Sequence, residues 1–248
     1  MEKALVVKDI SKKYRGSSVF ALDKFNLTVE NGRIYGLLGP NGAGKTTAIS
    51  IITTLLKPTG GTISIFGVDA RKHPDRIKKF IGLVPQNIAI YEKLTVSENL
   101  HYFGSLYDIQ GKKLKTRIEY VMELMGLSEY SRMRIGQCSG GIKRRANLAA
   151  GILHKPDLLF LDEPTTGIDP QSRNNILNNL KELEKEKITI IYTTHHMEEA
   201  ETLCSDIAIM DNGRIIAEGK PAELIKSGNN CKNLEELFIS LTGKYLRD

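Results

Sequence analysis

The sequence predicts an α/β fold: a mainly parallel sheet with flanking helices, an antiparallel β subdomain at the N-terminus, and a helical subdomain inserted into the core. Three observations predict it. The stretch Gly39-Pro-Asn-Gly-Ala-Gly-Lys-Thr-Thr47 matches the phosphate-cradling pattern G-x-x-x-x-G-K-[ST] and lies between an apolar strand and an apolar helix. Short, nearly all-apolar runs such as Leu158-Leu-Phe-Leu161 suit parallel strands buried on both faces, and the later ones alternate with helix-like stretches. Between Asn87 and Pro156 the pattern changes to helical periodicity with no convincing strand.

Taken in order, residues 5–10 and 25–29 alternate apolar and polar side chains and read as antiparallel strands. Residues 34–38 form a short buried strand, and residues 48–52 belong to a helix that begins near Gly44. Further strands are expected at 62–65, 81–84, 158–161, 188–192 and 207–210. Helices are expected at 96–107, 114–125 and 140–153. Asp169-Pro170 opens another helix, with Asp as N-cap and Pro in the first turn. Asp211-Asn-Gly213 turns a hairpin into residues 214–218, because Asn-Gly tolerates the positive φ of a tight turn. Residues 220–224 and 233–241 read as short helices. The second is amphipathic, with core packing and partner docking both open for its apolar face. The organisation expected is one domain over 1–230, with a helical lobe at about 87–156, and a short helical tail over 231–248.

Composition narrows the function. The longest apolar runs in these 248 residues are far too short to cross a bilayer, and Met1-Glu-Lys-Ala lacks an apolar signal region. A cytoplasmic protein is expected, with any membrane role left to a separate chain. Cys138, Cys204 and Cys231 have no metal spacing and read as reduced thiols. The net charge of +6 is mild, and the basic clusters, Lys143-Arg-Arg145 among them, are not interleaved with aromatics. They read as solvated helix faces, and no nucleic-acid partner is expected.

The motifs carry specific chemistry. Glycines 39, 42 and 44 let backbone N–H groups curl around an anion at the positive end of a helix. Lys45 can reach terminal phosphates, and the Thr46 hydroxyl can bind Mg²⁺. Leu158-Leu-Phe-Leu-Asp-Glu163 delivers two acids to the C-terminal end of a buried strand, where α/β sheets place ligands. Asp162 suits a metal and Glu163 suits orienting or deprotonating a water. Cys138-Ser-Gly-Gly-Ile142 opens a helix with Ser139 as N-cap and bare N–H groups at Gly140 and Gly141, a second anion-binding helix start. One nucleotide needs one cradle, so a second makes sense if it closes on a neighbouring subunit's nucleotide.

In identity and order, these motifs resemble those of the ATP-binding subunit of an ABC transporter, a P-loop NTPase, over nearly the whole chain. The resemblance makes Gln86 the glutamine loop, Ser139-Gly-Gly141 the signature, and Asp162 and Glu163 the magnesium aspartate and catalytic glutamate. Thr166-Gly-Ile-Asp169 becomes the subunit-bridging loop, His195 the switch histidine, and Tyr14 the aromatic that stacks on adenine. It implies ATP bound by Tyr14, Gly39, Asn41, Gly42, Ala43, Gly44, Lys45, Thr46 and Thr47 of one subunit, and by Ser139, Gly140, Gly141 and Asp169 of another. Catalysis would fall to Glu163, His195, Lys45 and Gln86, with Thr46, Gln86 and Asp162 at Mg²⁺.

The partners implied are a polytopic membrane permease and a second copy or a related ATPase, at the cytoplasmic face of the membrane. Residues 87–100 would meet the permease. The segments after the signature, the bridging loop and the histidine resemble those of bacterial drug-efflux and sodium-efflux exporters. The signature departs from the family's Leu-Ser-Gly-Gly-Gln at Cys138 and Ile142. His196 competes with His195, and the spacing to Met197-Glu-Glu favours His195; His73, His101 and His154 read as surface or lobe residues. The alternatives are a soluble ABC ATPase acting on nucleic acid or ribosomes, a phosphate-loop kinase or GTPase, and an ATP-gated clamp. The chain has no Asn-Lys-x-Asp guanine reader, and a kinase leaves Ser139-Gly-Gly141 and His195 unexplained.

Overall fold

The computed structural model describes residues 2–228 and 231–243. Strands β1 (Lys3–Lys13) and β2 (Phe20–Glu30) pair antiparallel. Both run past their expected bounds, and irregularities in their register accompany positive φ angles at Asp9 and Lys24. After β3 (Ile34–Leu38) and helix α1 (Lys45–Ile52), β4 (Gly60–Ile65) joins the other edge of β1. A two-residue strand β5 (Val68–Asp69) and helix α2 (Pro74–Phe80) come next, both too short to leave a period in the sequence. The four-stranded antiparallel sheet has the order β2-β1-β4-β5.

The second sheet contains β6 (Ile81–Val84), β7 (Leu158–Asp162), β8 (Thr189–Thr194), β9 (Asp206–Asp211) and β10 (Arg214–Gly219), ordered β10-β9-β3-β8-β7-β6. All its pairings are parallel except the β9–β10 hairpin. Apart from the edge strand β10, its strands are largely buried on both faces, as their apolar runs require. Leu158 and Phe160 join one core under the antiparallel sheet and α1, while Leu159 and Leu161 join the other, under the helices. Strand β8 begins and ends later than expected and takes in Thr193 and Thr194, whose buried hydroxyls donate to Asp162 at the end of β7 and to Glu199.

Between β6 and β7 lie helices α3 (Val96–Leu106), α4 (Gly111–Leu124) and α5 (Gly140–Ile152), with two short 3₁₀ turns. Among the described residues this stretch holds no strand, only an isolated bridge between Thr95 and Arg134. Thr95 and Glu98 cap α3 reciprocally. Helices α6 (Pro170–Lys185) and α7 (Met197–Leu203) flank β8 in the chain; α7 is not among the expected helices. Helices α8 (Pro221–Ser227) and α9 (Leu234–Thr242) close the described chain. Leu234, Leu237 and Phe238 of α9 are buried in the larger core, so that amphipathic face is spent on packing. The last five residues of the expected tail lie outside the described residues.

Candidate nucleotide site

Parallel register lines up the strand ends. Leu38 lies opposite Thr194 and Asp162 opposite Thr193, so Gly39, Glu163 and His195 leave the sheet side by side at its C-terminal edge. The loop 39–47 starts there. Gly42 is exposed with φ +84° and open space where a Cβ would stand, a concavity that only glycine leaves clear. Gly44 caps α1 without any side-chain acceptor, so the first N–H groups of that helix are not claimed by a cap. Ala43 is buried, and its carbonyl accepts from Gly213 N–H at 2.9 Å, anchoring the loop to the β9–β10 turn. Asn41 and Thr46 are exposed.

Lys45 is 5% exposed. Its ammonium donates to the carbonyls of Gly39 at 2.8 Å and Pro40 at 3.2 Å, and lies 3.1 Å from Glu163 Oε1. Thr47 Oγ1 is 3.3 Å from the hydroxyl of Tyr14, which puts that aromatic beside the loop. Tyr14 and Gly42 line a cavity of about 790 Å³ with Phe20, Asn212 and Arg214. A larger cavity, about 1030 Å³, lies between Ile109, Arg117 and His154 and touches none of the motif residues.

Glu163 is the meeting point. It stands at φ +47°, with its N–H donating to Thr193 Oγ1 at 3.0 Å. Its Oε2 accepts from Gln86 Nε2 at 3.3 Å and Thr166 Oγ1 at 3.2 Å, and His195 Nδ1 lies 3.2 Å away. Burial pushes this carboxyl up, but the Lys45 ammonium and then His195 outweigh it and hold it below the ordinary glutamate range. Asp162, 3% exposed, accepts from Thr193 Oγ1 at 2.8 Å. The ring of His196 packs 4.2 Å from that of His195, and burial lowers its pKa. The contact with Glu163 belongs to His195 and not to His196. His154 ties the lobe to β6 through the Ile81 carbonyl, whereas His73 and His101 are exposed.

The second anion-binding edge stands apart. Ser139 caps α5, its Oγ accepting from Ile142 N–H at 3.4 Å, and Ser139 and Gly140 are exposed. Gly141 is buried, and a Cβ there would stand 2.0 Å from Ser172 Oγ on α6. Asp169 caps α6 by accepting from Ser172 N–H at 2.8 Å, a bond that holds its carboxyl low. Ser139, Gly140, Gly141 and Asp169 therefore form one corner. Among the described residues no hydrogen bond or ion pair joins that corner to residues 39–47. Cys138 and Ile142, the two departures from the family signature, point into the helical core and leave the exposed edge unchanged.

One sequence expectation is corrected. Lys143, Arg144 and Arg145 are not a solvated face but half-buried ties. Arg144 donates to the carbonyls of Gln86 and Thr166, Arg145 to those of Met125 and Gly126, and Lys143 pairs with Glu92. Thr193 and Arg144 also escaped the sequence reading as site residues, because their partners lie far away in the chain. Only their nearness to motif residues could have marked them.

The residues fit a magnesium nucleotide. Among the described residues no group of three or more His, Cys, Asp or Glu could hold a metal alone. One buried carboxylate, Asp162, and one exposed hydroxyl, Thr46, suit Mg²⁺, which typically takes few protein ligands and completes its shell with water and phosphate oxygens.

Comparisons with known proteins bear on the family and the fold. The family model described as "ABC transporter" matches residues 22–166. The chain is 44% identical to the linearmycin resistance ATP-binding protein LnrL of Bacillus subtilis (strain 168), over 89% of this chain and 70% of that protein. It is 38% identical to a Nod factor export ATP-binding protein I of Ralstonia nicotianae, over 93% of this chain and 71% of that one. The solved structure of an ATP-binding subunit of an ABC transporter superposes with a TM-score of 0.86 at 28% identity, covering 96% of this chain and 99% of that one. A dimeric ATP-binding cassette in a post-hydrolysis state, bound to ADP and phosphate, superposes with a TM-score of 0.79 at 25% identity, covering 87% and 98%. Among the described residues no helix is long and apolar enough to cross a membrane.

Proposed function

This chain belongs to the ABC transporter family, and on that footing we propose that it is the Mg²⁺-dependent, ATP-hydrolysing subunit of an exporter. It works as a head-to-tail pair with a second copy or a related ATPase, docked on a polytopic permease at the cytoplasmic face of the membrane. The observation that carries the reading is the convergence of Lys45, Gln86 and His195 on the single carboxylate of Glu163, while the Ser139–Gly140 edge faces outward from the same molecule. The similarity to proteins named for antibiotic resistance and Nod factor export favours export. Similarity to a dimeric cassette bound to ADP and phosphate favours the pair.

The roles derive from the contacts. ATP stacks its base on Tyr14 and lays its phosphates on the N–H groups of the loop 39–47. Lys45 leaves Glu163 for the incoming phosphates, which removes the main influence holding that carboxyl low. Glu163 then becomes a better base, placed to take a proton from the attacking water. His195 and Gln86, both on the same carboxylate, orient it. Thr46 and Asp162 would hold Mg²⁺, which when bound neutralises phosphate charge. The partner's copy of the Ser139–Gly141 edge, with Asp169 beside it, closes over the γ-phosphate. Closure without ATP brings together Lys45 and unpaired N–H groups, so the triphosphate is what makes the pair stable.

The test is Glu163→Gln in a chain purified with its permease. ATP binding stays near wild type, phosphate release stops, and an ATP-bound dimer accumulates. Sustained turnover by this variant refutes the assignment of the base.

A further inference from the structure

Glu199 is a buried charged group that this mechanism does not use. It is 5% exposed, on α7. Its Oε2 accepts from the hydroxyls of Tyr192 at 2.6 Å, Thr165 at 2.9 Å and Thr194 at 3.1 Å. Its Oε1 lies 3.3 Å from Arg173 Nε, an ion pair at an angle that makes no hydrogen bond.

These partners matter because of their neighbours along the chain. Thr165 is two residues beyond Glu163. Thr194 immediately precedes His195, and its hydroxyl also accepts from His196 N–H at 2.9 Å. Arg173 lies one turn beyond Asp169, its N–H bonded to the Asp169 carbonyl at 3.0 Å. One carboxylate thus touches the segments that carry the base, the histidine and the outward-facing corner.

A carboxylate suits this place for a physical reason. An ionised carboxylate only accepts, so each of the three hydroxyls must donate to it, and their oxygens are fixed together. Packing alone would be served by an apolar side chain without the desolvation cost of a buried charge. A glutamine of equal size can keep its carbonyl oxygen on the three hydroxyls only by turning its N–H₂ onto Arg173, donor against donor and without the charge, and in the flipped orientation the hydroxyls must reverse.

We propose that Glu199 is a positioning residue: it holds the Glu163 and His195 segments at the separation hydrolysis requires, and links them through Arg173 to the Asp169 corner that faces a partner subunit. The proposal rests on the reading of Glu163 and His195 given under the proposed function.

The experiment compares wild type, Glu199→Gln, Thr194→Val and the double variant, with Glu163→Gln alongside. Steady-state hydrolysis, thermal unfolding and the ring-nitrogen resonances of His195 are measured on each. For Glu199→Gln, kcat falls roughly tenfold to a hundredfold, the cost of misplacing reacting groups by about an ångström. KM for ATP stays within about twofold, since no residue that touches nucleotide is altered. The His195 resonances move, and the double variant loses little more than either single one, because both cut the same tether.

A Glu199→Gln variant with wild-type kcat and unmoved His195 resonances overturns the proposal. So does a fall in kcat that merely tracks the folded fraction, or one that multiplies independently with Thr194→Val. If Glu163→Gln keeps turning over, the assignment of the base fails separately, and the His195 resonances still decide whether Glu199 holds that segment.

Discussion

Gly141 offers a sharp test, because local propensity and tertiary packing predict opposite signs for Gly141→Ala. Gly141 lies in the first turn of α5 without a positive φ, so alanine suits its backbone and improves helix propensity by up to about 1 kcal/mol. The tertiary structure forbids the gain. A Cβ at this position would stand 2.0 Å from Ser172 Oγ and 2.6 Å from Ser172 Cβ. Rotating the serine side chain relieves the first contact but not the second, which lies about 1 Å inside ordinary carbon contact. Helices α5 and α6 must move apart.

Overpacking of this kind costs about 1–3 kcal/mol. Because the encroachment is large, we expect the upper part of that range, and a net loss of about 1–2 kcal/mol after the propensity gain. Urea unfolding measures it. The movement also displaces Ser139 and Gly140, so ATP-driven dimerisation weakens beyond what the lost stability explains. Ser172→Gly removes both offending atoms, and the double variant recovers part of the loss. A Gly141→Ala variant as stable as wild type, or a double variant whose losses simply add, refutes the packing argument.

Three further outcomes are expected at the site. Thr193→Val removes the hydroxyl that donates to the buried Asp162, while the Glu163 N–H keeps the Thr193 carbonyl; denaturation should record a loss of about 1–3 kcal/mol, and hydrolysis should need more Mg²⁺. Lys45→Met raises the Glu163 pKa, because burial then acts with less opposition, and carboxyl-carbon resonances monitored against pH will track it. In wild type that pKa lies below its unfolded value of about 4.3. The stabilisation is therefore complete above that value and lost as pH falls through the folded one, so the part of the variant's stability deficit that this ion pair contributes at pH 7 should fade in acid, leaving the part due to the lost bonds to the Gly39 and Pro40 carbonyls. Tyr14→Ala weakens ATP binding by about tenfold while Tyr14→Phe keeps it, since stacking needs the ring and not the hydroxyl; equal losses in fluorescence titrations would mean that the 3.3 Å contact with Thr47 is what counts.

Much of this molecule was legible one residue at a time. The loop 39–47, the acids at the end of a four-residue apolar run and the Ser139 cap each announce themselves locally, because a tight turn, a buried strand and a helix start impose residue types at short spacing. Strands 34–38 and 81–84 were placed correctly for the same reason. Helix α7 and strand β5 were not, since seven and two residues hold too few turns or alternations to declare a period.

Only the tertiary structure decided the pairings between distant segments. Arg144 looked like part of a solvated basic run until α5 brought it against the carbonyls of Gln86 and Thr166. Nothing local marked Glu199 until β8 and the loop after β7 closed around it. Composition and spacing specify which chemical groups the chain owns. Parallel register, which sets Asp162 beside Thr193 and Leu38 beside Thr194, decides which of those groups share one sheet edge, and a register is a relation between strands that no single segment encodes.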